Sequence, residues 1–183
     1  MPTQQWNVDT SHSSIHFTVR HLVMSRVRGS FDRWRGTVDF DAQNPEASKV
    51  SVHIDSASID THEPKRDEHL RSADFFDVEH HPALTFQSTR VEPLARGRFR
   101  LAGDLAMHGV TRTLELEVEL LGESKDPWGN QRLGFQARTT INRRDFGLHW
   151  NQVLEAGGML VGDTIEVEVD IEAVKAASAR QAA

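Results

Sequence analysis

The sequence has no cysteine among its 183 residues, which removes disulfides, thiolate metal ligands and cysteine nucleophiles from its chemistry. Tyrosine is absent too, so nine phenylalanines and four tryptophans form an aromatic set with few polar handles. Such a set suits an apolar interior, whether a plain core or a lipid-lined cavity. No run of about 18 apolar residues occurs, so no transmembrane helix and no stable membrane insertion are expected. Met1–Thr10 has neither the basic nor the apolar segment of a secretion leader. On that reading the chain is cytoplasmic, and periplasmic or secreted only as a processed form. Positive charge is also in short supply. A formal net charge of -6 and a pI near 5.9 argue against a nucleic-acid partner, whose phosphates call for a clustered basic face.

Catalytic signatures are missing in the same way. There is no G-x-S-x-G elbow, no glycine-rich phosphate loop and no H-E-x-x-H pair, so an enzyme is not expected. Ten histidines still raise the question of a metal. The candidates are His12, His16 and His21, then His62 and His69, then His80 with His81. A strand over 14–22 would put His16 and His21 on opposite faces, where they cannot share one ion. The spacings favour surface or core histidines, so no metal and no cofactor are expected.

What is abundant is alternation with period two, the mark of strands with one buried face. Leu114, Leu116, Val118 and Leu120 interleave with Glu115, Glu117 and Glu119, and Ile165, Val167, Val169 and Ile171 with Glu166, Glu168 and Asp170. Weaker versions occur over Ser14–Leu22, Gly36–Asp41, Lys49–Ala57, Ala83–Ser88, Arg98–Met107 and Leu133–Ile141, giving about eight strands in all. Turn chemistry separates them at Arg28-Gly29-Ser30, Gln43-Asn44-Pro45, Ala95-Arg96-Gly97, His108-Gly109 and Asp126–Asn130. Connections this short imply antiparallel pairing.

One stretch breaks the pattern. Asp60–Phe76 reads as a short helix capped by Asp60 or Thr61, with Pro64 in its first turn and Leu70 and Ala73 facing the sheet. A second helical turn is expected near Trp150–Ala156, stopped by Gly157-Gly158. No repeat or linker divides the chain, which reads as one soluble domain over residues 1–175 with a frayed tail over 176–183.

Eight one-sided strands can form a sandwich or a barrel. Closure into a barrel removes exposed edges and, at this strand number, leaves an interior wide enough for side chains or one small elongated ligand. His21 shares a face with Ile15, Phe17 and Val19, so its imidazole needs either a hydrogen-bond partner in the core or a ligand's polar group. Basic residues gather at Lys65, Arg66 and Arg71 and at Arg143-Arg144. They serve either salt bridges to nearby carboxylates or an anionic headgroup, whose geometry guanidinium groups match.

Three runs carry a family resemblance: SIDT at Ser58–Thr61, RDEHLRSADFFDV at Arg66–Val78 and HPALTFQST at His81–Thr89. Together with Asp9–Phe17, Val19–Leu22, Gly29–Phe31, Gly36, Gly103–Thr111 and Ile141–Leu148, they make the chain resemble the YceI-like family of lipocalin-like, polyisoprenoid-binding proteins over roughly residues 6–174. The resemblance implies an all-β, eight-stranded antiparallel barrel with one or two short helices at its mouth. It implies an apolar cavity for a polyisoprenoid or other long-chain lipid, a role in carriage, storage or stress, and a homodimer. The residues placed inward on this basis are Phe17, Val19, His21, Phe40, Ile54, Phe86, Leu101, Phe135 and Phe146. Arg66, Arg71, Arg143 and Arg144 are the candidate headgroup contacts. The alternatives are an enzyme acting on a lipid-like substrate through His21 and a scaffold with a filled core.

Overall fold

The computed structural model describes residues 3–177; the tail expected to fray lies outside them from residue 178 onward. Eleven strands form one antiparallel sheet: β1 (Gln4–Val8), β2 (Ser14–His21), β3 (Ser25–Phe31), β4 (Trp34–Phe40), β5 (Lys49–Asp55), β6 (Ile59–Asp60), β7 (Ala83–Ala95), β8 (Arg98–Met107), β9 (Val110–Lys125), β10 (Gln131–Asn142) and β11 (Val161–Lys175). Their hydrogen-bonded order runs β1-β4-β5-β7-β8-β9-β10-β11, and β11 returns to pair with β1. That is a closed ring of eight strands, so none of those eight keeps a free edge along its whole length.

The ring has eight positions although the strands number eleven, because three positions are each filled by two strands: β1 with β2, β4 with β3, and β5 with β6, which pairs with β3. Along β11, β1 pairs with Ala173–Lys175 while β2 pairs with Val161–Asp170. Opposite them, β4 pairs with β1 and β3 pairs with β2. The break between β1 and β2 falls at a turn where Asp9 accepts hydrogen bonds from Ser11 and its amide donates to Glu172 O at 2.8 Å. Beside that break Arg132 reaches Asp9 Oδ2 and Asp126 Oδ2, each at 2.9 Å, and also Glu172. One guanidinium thus ties three chain segments at the seam where the ring closes.

The Arg28-Gly29-Ser30 sequence lies inside β3 and makes no turn. Gly29 is there because the Phe17 ring packs flat against it: a Cβ would stand 2.3 Å from Phe17 Cζ. Glycine in a strand marks close approach as well as bending, and turn composition alone cannot separate the two.

The interrupting helix, α1, covers only Pro64–Arg71, and its cap is Glu63, whose carboxylate accepts from the amides of Lys65 and Arg66. Asp67 is turned inward, 5% exposed, where it accepts from the amide and hydroxyl of Thr61. Leu70 packs into the core, whereas Ala73 lies beyond the helix and is exposed. The expected turn at Trp150–Ala156 is not helical. A loop folds back there through a Val153–Met159 bridge, because Gly157 and Gly158 take positive φ and reverse the chain.

Two apolar clusters divide the interior along the barrel axis. One gathers Trp6, Phe40, Phe99, Phe135, Leu133 and Ala173 from the end that holds the β7–β8 and β9–β10 turns. The other joins Ile15, Phe31 and Met107 to Ile59, Phe146 and Leu148, with Leu70 and Phe76 packed on them. Segments outside the ring, α1 among them, therefore plug the second end.

Candidate functional site

Between and through these clusters runs a cavity of about 190 Å³. Its position follows from the alternation. Val167, Val169 and Ile171 of β11, Leu114, Leu116 and Val118 of β9, and Phe135, Ala137 and Ile141 of β10 all point inward and line it. The wall extends from Val91 and Phe99 near one end to Ile15 and Leu105 toward the plugged end. Three lining residues, Thr37, Ser48 and Thr139, carry hydroxyls, and that of Thr139 already donates to Glu115 O at 2.8 Å. Among the described residues that line it there is no carboxylate, imidazole, amine or guanidinium. Chemically, such a space can take apolar matter by excluding water and has no acid, base or fixed charge to act on it.

Of the residues placed inward from the sequence, Phe40, Ile54, Phe86, Leu101 and Phe135 line the cavity. Four do not. Phe17 lies over Gly29 and packs on Phe31 with ring centroids 5.7 Å apart, in the plug. Phe146 is 1% exposed at the centre of the same plug. Val19 borders a separate pocket outside the barrel cavity with Arg20 and Arg26, and His21 ends β2 beside an exposed hairpin tip. Both stand too far along the strand to reach the interior, because β2 runs past the plug. With His21 outside, the enzyme reading loses its proposed base. Val8, Trp34, Val91 and Thr139 were missed; β1 is too short to show alternation, and the other three lie at strand positions that the patterns above did not single out.

The four candidate headgroup residues have other work. Arg66 donates to Thr61 Oγ1 at 2.7 Å and Thr61 O at 2.8 Å, and Arg71 donates to Ala57 O at 2.8 Å and Ile59 O at 2.9 Å. Arg143, 3% exposed, donates to Leu148 O at 2.7 Å, Trp150 O at 2.8 Å and Gly162 O at 2.9 Å. Burial pulls its guanidinium down from its ordinary pKa, and Asp163 opposes that shift. Arg144 pairs with Asp163 at 2.8 Å on the surface. Segments at the plugged end leave carbonyls without ladder partners, and Arg66, Arg71 and Arg143 supply the donors.

No helix of the described residues is long and apolar enough to cross a membrane. The profile of the YceI-like domain matches residues 6–173. A UPF0312 protein of Ectopseudomonas mendocina is 40% identical over 164 residues, which cover 90% of this chain and 83% of that protein. Among solved structures, a Campylobacter jejuni YceI protein superposes with a TM-score of 0.76 at 29% identity, covering 86% of this chain and 90% of its own. A polyisoprenoid-binding domain from Saccharophagus degradans superposes with a TM-score of 0.71 at 16% identity, covering 93% and 98%, a likeness of fold. The closed barrel, the profile match along nearly the whole ring and the 40% identical relative agree: this chain belongs to the YceI-like family.

Proposed function

We propose that the protein binds one long apolar chain, a polyisoprenoid or related lipid, inside the barrel, and acts as a carrier or store for it, with no chemistry of its own. The observation that carries this reading is the cavity of about 190 Å³ without a titratable lining group. An apolar cavity of about 150 Å³ is already large enough to stay dry and admit a benzene-sized guest. Each methylene buried there contributes roughly 0.8 kcal/mol, so a chain needs few polar contacts to be held. The name of the Saccharophagus domain points the same way.

A chain longer than the present cavity has to part the rings that close its far end. Phe40 contacts Phe135 at 5.3 Å and Phe99 at 6.1 Å between centroids, edge to face in both cases. Native mass spectrometry of purified protein, with solvent extraction of what it retains, should find one prenyl or long-chain lipid per barrel. Delipidated protein should take up a long-chain prenyl alcohol one to one. Failure of both prenyl alcohols and other long-chain lipids to bind overturns the proposal.

A further inference from the structure

At the plugged end, three potential metal ligands meet that no local spacing announces. We propose that Asp77, His81 and His108 form a site for a divalent first-row transition metal of the Zn²⁺ class, with water completing its coordination. One ligand atom from each lies within 4.8 Å of the other two. Ligation near 2.1 Å places tetrahedral donors about 3.4 Å apart, so small side-chain rotations close the set.

The surroundings orient these groups. His108 Nδ1 lies 3.0 Å from Phe146 O, a carbonyl that can only accept. That contact fixes the proton on Nδ1 and leaves Nε2 as a bare lone pair, the arrangement found where an imidazole ligates a metal. Among the described residues the His81 side chain has no hydrogen-bond partner, yet its backbone is held at both ends: its amide donates to Asp77 O at 2.8 Å, and its carbonyl accepts from Ser56 Oγ at 2.7 Å. The two imidazoles stand edge to face with centroids 4.9 Å apart. His80 Nδ1 sits 2.9 and 3.0 Å from the two Asp77 oxygens, an outer partner for the carboxylate.

Two glycines make room for the rings. A Cβ on Gly109 would stand 2.9 Å from His81 Cε1, and one on Gly147 would stand 3.3 Å from His108 Nδ1; both glycines have positive φ. The pair of imidazoles and one carboxylate is a borderline nitrogen and oxygen donor set, matched to Zn²⁺, Co²⁺, Ni²⁺ or Fe²⁺ rather than to Ca²⁺ or Mg²⁺. A second cluster, Asp9, His12 and Glu172, differs in one decisive respect. The Arg132 guanidinium already occupies the cation's place between its carboxylates.

A bound ion would join the segment after α1 to the β8–β9 turn, and through His108 to the Arg143–Phe146 segment of the plug. The test uses untagged full-length protein stripped with a chelator, then titrated with Zn²⁺ by calorimetry and with Co²⁺ by visible absorption. Expected are one ion per chain, a raised Tm, and affinity lowered by more than about tenfold in His81→Gln and in His108→Gln, with His12→Ala unchanged. Should a variant fail to fold, Co²⁺ broadening of wild-type NMR resonances decides: it must centre on Gly109 and Phe146. No binding, binding that survives His81→Gln, equal loss in His12→Ala, or broadening centred elsewhere overturns the proposal.

Discussion

Filling the cavity should make the empty protein more stable and the loaded protein worse. Ala137 sits mid-strand on β10, facing inward, with Val118 and Val169 as its cross-strand neighbours. At about 24 cal/mol per Å³, an unfilled space of 190 Å³ represents about 4–5 kcal/mol of packing that the fold forgoes. Ala137→Leu adds three carbons to that space, worth about 2.4 kcal/mol at roughly 0.8 per buried methylene. Side-chain ordering and a less than ideal rotamer take back part of this, leaving a net gain of about 1–2 kcal/mol. For a chain of this length that raises Tm by about 2–8 °C. The measurement is urea and thermal denaturation of delipidated wild type and variant, since bound lipid would itself raise the apparent stability. Uptake of a long-chain prenyl alcohol is followed in parallel and should fall by tenfold or more, since room for about three ligand carbons, roughly 0.8 kcal/mol each, is lost. Destabilisation by about 1–3 kcal/mol, the mark of overpacking, would show that the interior is already full and refute the cavity argument.

Two further outcomes follow from polar groups outside the cavity. Arg143→Met leaves the carbonyls of Leu148, Trp150 and Gly162 without their donor in a buried setting, and should cost about 3–5 kcal/mol; a urea midpoint within error of wild type would contradict the assigned role. Acid should loosen the seam at Arg132. Asp9 is held well below the usual carboxylate range by hydrogen bonds from Ser11, Arg132 and His12. At Asp126 burial pushes upward, but hydrogen bonds from Asn130, Arg132 and the Trp128 amide outweigh it and bring the pKa to about 2. Folded values below the ordinary 3.8 mean a contribution that is complete above that pH and drains away as pH falls toward 2. Stability measured across that window should drop steeply in wild type and less so in Arg132→Met; equal slopes would sink the assignment.

The inward face was legible wherever alternation ran long enough. β9 and β11 declared Leu114, Val118, Val167 and Ile171 without help, because a buried face against a solvated acidic one leaves a period of two in the sequence. β1 and β3 escaped for physical reasons: one is five residues long, and the other carries a glycine that serves a phenylalanine ring. Phe146 is buried and Phe17 partly so, yet alternation reports only which side a residue faces and says nothing of how far along the axis the cavity extends. The arginines show the opposite gap. Arg66, Arg71 and Arg143 bond mainly to backbone carbonyls, and a carbonyl leaves no trace in residue identity. The same holds for His81 and His108, which come together only when the β8–β9 turn is brought against the segment after α1.

The pairing of β1 with both β4 and β11 also bears on how the molecule is made. Trp6 pairs with Lys175 across the seam, so ring closure awaits strands synthesised at opposite ends of the chain, a contact of the kind that slows folding. The same proximity makes the choice of starting residue topologically arbitrary. A short bridge from Lys175 to Gln4, with new ends opened between Trp128 and Gly129 at the exposed tip of the β9–β10 turn, would keep every strand neighbour and turn this long-range pairing into a local hairpin.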